Sequence, residues 1–154
     1  MKNKILNKLV IVEDDEVQLK LLSSILEYIA IEIVTFSNVV DTCIYLDTNR
    51  DVEMVITDWH MQKKDGGHLI EFIRMKGLTR KGEPIPILVV SAFKEVKEII
   101  ESCYPRIKML DKPLTFNSIE PAIKELIKED PKEVICNSMS HMRRDFEEVR
   151  RLLA

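Results

Sequence analysis

The chain has 154 residues, 45% hydrophobic and 32% charged, with a formal net charge of -3; this is the size of one globular domain plus a short extension, and it excludes a multidomain enzyme. No apolar run approaches the roughly 18 residues of a membrane span, and Met1 to Lys8 has no sustained apolar stretch of the signal-peptide kind. The expectation is therefore a cytoplasmic protein with no membrane partner and, given its slight negative charge, no direct nucleic-acid partner.

The elements follow in β-α alternation, the pattern of a parallel sheet covered on both faces. A first strand, Lys8–Val12, leads into a helix over Glu16–Tyr28 with apolar positions Val17, Leu21, Leu22, Ile25 and Ile29. The second strand, Ile31–Phe36, precedes a helix over Val39–Leu46 capped by Ser37 or Asn38. Glu53–Thr57 is the third strand, and its helix, Gly67–Lys76, is stopped by Gly77. A fourth strand, Ile85–Val90, is followed by a helix over Lys94–Cys103, and a fifth, Ile107–Leu110, by a helix from Ser118 to Glu129 in which Pro121 marks the first turn. Asp130–Pro131 closes the unit, giving a domain over residues 1–130 and an extension over 131–154. In that extension Ile135, Met139, Met142, Phe146, Val149 and Leu153 repeat at spacings of four and three, an a/d seam of about three heptads. It reads either as a coiled coil or as a sixth helix folded back on the domain. Cys43, Cys103 and Cys136 lack CxxC spacing and read as reduced thiols, neither a disulfide framework nor a zinc site.

In an open parallel sheet, ligands bind at the carboxyl ends of the strands. The first strand delivers Glu13-Asp14-Asp15 there, the third Asp58, the fourth Ser91 and the fifth Asp111-Lys112-Pro113. Each alone is as consistent with a helix cap or a surface residue as with a site; together they converge on one edge. Clustered carboxylates repel one another unless a divalent cation offsets their charge, and an oxygen-only donor set with room for water suits Mg2+. Lys112 and Ser91 add the positive charge and the donor that a phosphoryl group on a carboxylate requires.

These residues resemble the receiver domain of two-component response regulators. The likeness spans Lys8 to Lys128 and rests on Val12-Glu13-Asp14, on Ile56-Thr57-Asp58-Trp59-His60-Met61 with Asp65-Gly66, on Val89-Val90-Ser91-Ala92 and on Asp111-Lys112-Pro113. It implies a flavodoxin-like, doubly wound α/β fold, with five parallel strands in the order 2-1-3-4-5, to which the heptad seam adds an extra C-terminal helix. It implies further that Asp58 accepts a phosphoryl group from a histidine kinase or phosphotransfer protein. By the same resemblance Glu13, Asp14, Asp58 and the backbone carbonyl of His60 hold Mg2+, Lys112 pairs with the phosphoryl oxygens, and Ser91 hydrogen-bonds one of them. The Lys112–Pro113 bond is expected to be cis. Such a domain is a bacterial signalling switch, not a turnover enzyme; it would associate with itself through the C-terminal helix or the fourth and fifth β-α surface, and the C-terminal helix reads alternatively as a signalling linker to an output domain.

The chain departs from the pattern in places. Glu13 stands where the family often has aspartate, and Gln62 where it usually has proline, followed by Lys63 and Lys64. Met109 occupies the position of an aromatic that rotates inward on phosphorylation, which favours a weaker or differently routed response. Met109 and Gln62 are also what would suit an interaction module of receiver form that is never phosphorylated. A phosphatase of the haloacid-dehalogenase type would need an aspartate at His60, and a flavin site would need a Gly, Ser or Thr loop after the first strand. His68 reads as a surface residue, and His141 lacks the acidic and Thr-Pro context of a kinase phosphorylation helix.

Overall fold

The computed structural model describes residues 4–61, 64–92, 95 and 97–128. Among these residues the elements run in the order β1 (Leu6–Val12), α1 (Glu16–Leu26), β2 (Ala30–Phe36), α2 (Val39–Thr48), β3 (Met54–Asp58), α3 (Gly66–Met75), β4 (Thr79–Arg80), β5 (Glu83–Pro84), β6 (Ile87–Ser91), α4 (Lys97–Cys103), β7 (Ile107–Asp111) and α5 (Phe116–Lys128). Five of the strands form one parallel sheet in the order β2-β1-β3-β6-β7. Since β4 and β5 stand outside it, this is the expected 2-1-3-4-5 topology.

Side chains alternate across each strand, so both faces of the central strands are apolar. Val10, Val12, Val55, Ile87 and Val89 pack on one side with α2, α3 and α4, while Leu9, Ile11, Ile56, Leu88 and Val90 pack on the other with α1 and α5. Every residue of β3 and β6 is buried. The connections leaving β1 and β3 thus run to opposite faces, and a crevice opens between their carboxyl ends.

Several boundaries differ from the sequence expectation, each for a local reason. The expected strand from Ile85 begins at Ile87, and before it Thr79–Arg80 pairs antiparallel with Glu83–Pro84. Lys81 and Gly82 turn that short hairpin with φ of 53° and 81°, the left-handed pair a two-residue loop requires. The first helix stops at Leu26, where the Ile29 amide donates to the Leu26 carbonyl (2.9 Å) and turns the chain into β2. The last begins at Phe116, two residues early, because Thr115 and Ser118 cap it reciprocally: the Ser118 amide donates to the Thr115 hydroxyl (3.2 Å) and the Thr115 amide to the Ser118 hydroxyl (3.0 Å). Pro121 is therefore inside the helix and not in its first turn, and it gives no N–H to the carbonyl of Asn117. Both residues are exposed, so water can serve that carbonyl.

Cys43 is a free thiol, and burial pushes it up to about 11. Among the described residues no helix is long and apolar enough to cross a membrane. The heptad seam from Ile135 to Leu153, Cys136, His141, Gln62, Lys63 and the expected helix start at Lys94 lie outside the described residues.

Candidate functional site

Strand register assembles the edge. Val12 is level with Thr57, Asp58 with Val90, and Ser91 with Asp111. Glu13, Asp58, Ser91 and Lys112 consequently end up at the same rim, each at or one residue past the last paired position of its strand. The amide of Trp59 donates to the Val90 carbonyl (3.0 Å) and that of Lys112 to the Ser91 carbonyl (3.0 Å), extending the ladder to the residues that carry the site.

Glu13 and Asp58 are buried, 2% and 8% exposed, and Ser91 is 1% exposed, whereas Asp14 faces solvent. Asp15 is a helix cap, the role an acid after a strand commonly takes: one carboxylate oxygen accepts from the amides of Val17 (2.9 Å) and Gln18 (3.1 Å). The Lys112 ammonium reaches across from β7 to donate to Asp58 Oδ2 (3.0 Å), Gln18 Oε1 (2.9 Å) and, more distantly, Glu13 Oε2 (3.4 Å). The Lys112–Pro113 bond is cis. His60 donates its amide to Asp58 Oδ1 at 3.3 Å, and its side chain is exposed.

Burial pushes the Glu13 carboxyl up to about 7, and the charge of Asp58 and a hydrogen bond with Asp14 act the same way against the Asp15 amide and Lys112. For Lys112 burial is the largest influence and opposes its charge, but the hydrogen bond to Asp58 and the charges of Asp58 and Glu13 together raise its pKa.

One oxygen each from Glu13, Asp14 and Asp58 lies within 4.8 Å of the others. Octahedral ligands at about 2.1 Å from a cation stand about 3 Å apart when adjacent and about 4 Å apart when opposite, so the donor set fits one small divalent ion. With three carboxylates and one ammonium all ionised, the site carries two net negative charges, the complement of such an ion. The exposed arm of Asp14 leaves a solvent side for water ligands.

The loop after Asp58 folds back tightly. The Gly66 amide donates to the Trp59 carbonyl (2.8 Å), and a Cβ on Gly66 would stand 2.5 Å from the Asp58 carbonyl oxygen. Asp65 and His68 cap α3 reciprocally, so His68 has a structural role that its reading as a surface residue missed. Met109 is buried behind the site at 1% exposure. Sequence reasoning missed Gln18. The signal for it was Asp15, whose cap places Gln18 in the first helical turn, where side chains lean back toward the amino end.

Residues 9–124 match the family model of the response regulator receiver domain. The chain belongs to that family. No curated protein matches it in sequence. Among solved structures it is similar to the Francisella response regulator 1452 receiver domain, with 18% identity and a TM-score of 0.65 over 79% of this chain and 97% of that one. It is also similar to the Vibrio cholerae chemotaxis protein CheY4, with 18% identity and a TM-score of 0.66 over 79% and 98% of the two chains. A CheY-like receiver domain from Methylobacillus flagellatus aligns with 22% identity and a TM-score of 0.63 over 79% and 98%.

Proposed function

We propose that the protein is a phosphorylation-dependent signalling switch whose acceptor is Asp58. The observation that carries this reading is the contact of Lys112 with Asp58, 3.0 Å, inside a carboxylate cluster whose spacing would suit one cation. Glu13, Asp14, Asp58 and the backbone carbonyl of His60 would hold Mg2+. When bound, the ion supplies positive charge that offsets the negative charge of the transferring group.

The donor is a phosphohistidine on a histidine kinase or phosphotransfer protein. An Asp58 carboxylate oxygen attacks phosphorus in line; the P–O bond forms as the P–N bond breaks, and the imidazole nitrogen keeps the electron pair and is free to take a proton. Lys112 follows the negative charge from the carboxylate to the phosphoryl oxygens, and the Ser91 hydroxyl donates to one of them. No separate substrate is turned over, so the protein is a signalling domain and not an enzyme in that sense. Because the buried residue at this point of β7 is Met109 and not an aromatic, the response is weaker or is carried by other movements than an aromatic rotation. The output is association with a partner or a second copy, through the surface of α4, β7 and α5 or through residues 131–154. Molecular size measured before and after phosphorylation checks this, with a larger species expected only after it.

The direct test is intact mass after incubation with acetyl phosphate. One phosphoryl adduct is expected, dependent on Mg2+ and absent from Asp58→Asn. A folded chain that takes no adduct would instead support an interaction module that works without phosphorylation, the reading Met109 and Gln62 favour.

A further inference from the structure

An ammonium has three N–H donors, and Lys112 has three acceptors before it: Gln18 Oε1 at 2.9 Å, Asp58 Oδ2 at 3.0 Å and Glu13 Oε2 at 3.4 Å. Two of these belong to the carboxylate cluster. A cation held there would draw the same oxygens toward itself and repel the ammonium, leaving Gln18 as the one of the three for which the two charges do not compete. We infer that Gln18 is a positioning residue for Lys112, holding the ammonium at the mouth of the site while the carboxylates are engaged elsewhere. This rests on the reading of Asp58 as phosphoacceptor.

Three features fit the role. The main chain of Gln18 is fixed by its own amide bond to the Asp15 cap (3.1 Å), so the side chain starts from a rigid point. Lysine only donates, which makes the amide oxygen the atom that faces it and turns the amide NH2 away, free to donate to an anionic oxygen arriving at the rim. A glutamate would reach the same place but would add a fourth carboxylate to the path of a phosphoryl donor. Gln18 also lines an apolar groove of about 330 Å³ with Leu21, Leu22, Ile25, Pro113 and Leu114.

The test compares the full chain with Gln18→Met, which keeps length without an acceptor, and Gln18→Glu, which keeps the acceptor. Three quantities are read: the 15N–1H NMR signal of the Lys112 ammonium with Mg2+ present, Mg2+ affinity from the fluorescence of Trp59, the single tryptophan, and the rate of phosphorylation by acetyl phosphate. Gln18→Met is expected to lose the ammonium signal to fast exchange and to phosphorylate about threefold to tenfold more slowly, the scale of one ordinary exposed hydrogen bond, with Mg2+ affinity unchanged. Gln18→Glu is expected to recover the signal. A Met variant that keeps both signal and rate, or whose Mg2+ affinity falls in step with its rate, overturns the inference. If the native chain takes no phosphoryl group, the reading of Asp58 fails, and the ammonium signal still decides the Gln18 bond.

Discussion

Glu13 shows at the scale of one residue what the site costs the fold. Its carboxyl is buried, and burial, ahead of the Asp58 charge, pushes it up to about 7 from an ordinary value of 4.5. Between those two values the folded chain binds the proton that the unfolded chain has lost, so this group makes the protein less stable as pH rises through the window and contributes no further slope above it. The loss is on the order of 3 kcal/mol. In denaturant titrations with a chelator, the stability of the native chain relative to Glu13→Gln is expected to fall from about pH 4.5 to 7; a difference that stays flat or rises contradicts this origin. Glu13, Asp14, Asp58, Ser91 and Lys112 were legible in the sequence because each follows an apolar run that has to be a strand, and strand ends in a parallel sheet face one edge. Gln18 was not, because its partner lies 94 positions away and periodicity holds no information about such a contact.

At the scale of an element, the turn from β3 into α3 packs directly on the backbone of Asp58. Gly66 approaches so closely that a methyl group would meet the Asp58 carbonyl oxygen at 2.5 Å, and both sides of that contact are backbone. Gly66→Ala should therefore cost roughly 1 to 3 kcal/mol, the range for forced overpacking, and slow phosphorylation by shifting the acceptor. Urea unfolding and adduct formation followed by mass measure the two effects; an alanine variant with native stability and rate would refute the close approach. The sequence read Asp65-Gly66 as a motif, and the fold supplies its physics: Asp65 caps the helix and Gly66 admits the backbone. Elsewhere local signals misled. Two-residue strands such as Thr79–Arg80 have no period to detect, and Pro121 masked the reciprocal cap of Thr115 and Ser118 that starts α5.

Across the whole molecule, the edge opposite the site is fastened by arginines. Arg106, 2% exposed, pairs with Glu83 of the hairpin and donates to the carbonyls of Leu126 (3.1 Å) and Ile127 (3.3 Å) at the end of α5. Arg74 joins α3 to the carbonyls of Ile85 (2.8 Å) and Pro105 (2.7 Å), which precede β6 and β7. Loss of the buried guanidinium in Arg106→Met is expected to cost roughly 2 to 3 kcal/mol. Glu83→Gln should cost less than about 1 kcal/mol, because Glu83 is half exposed. Denaturant midpoints rank the two, and equal losses would contradict the assignment. The sheet order was readable from the alternation of apolar runs; this clasp was not, since an arginine between a proline and a strand looks like any surface cation until the helix end arrives beside it.

The central claim is that Asp58 becomes an acyl phosphate, and borohydride tests it most directly by reducing such a phosphate to the alcohol, leaving homoserine at the acceptor. After treatment of the chain with acetyl phosphate and Mg2+, reduction and peptide mass analysis should find homoserine at position 58. Homoserine at Asp14, Asp15 or Asp65, or at no position in a folded chain, would contradict the account.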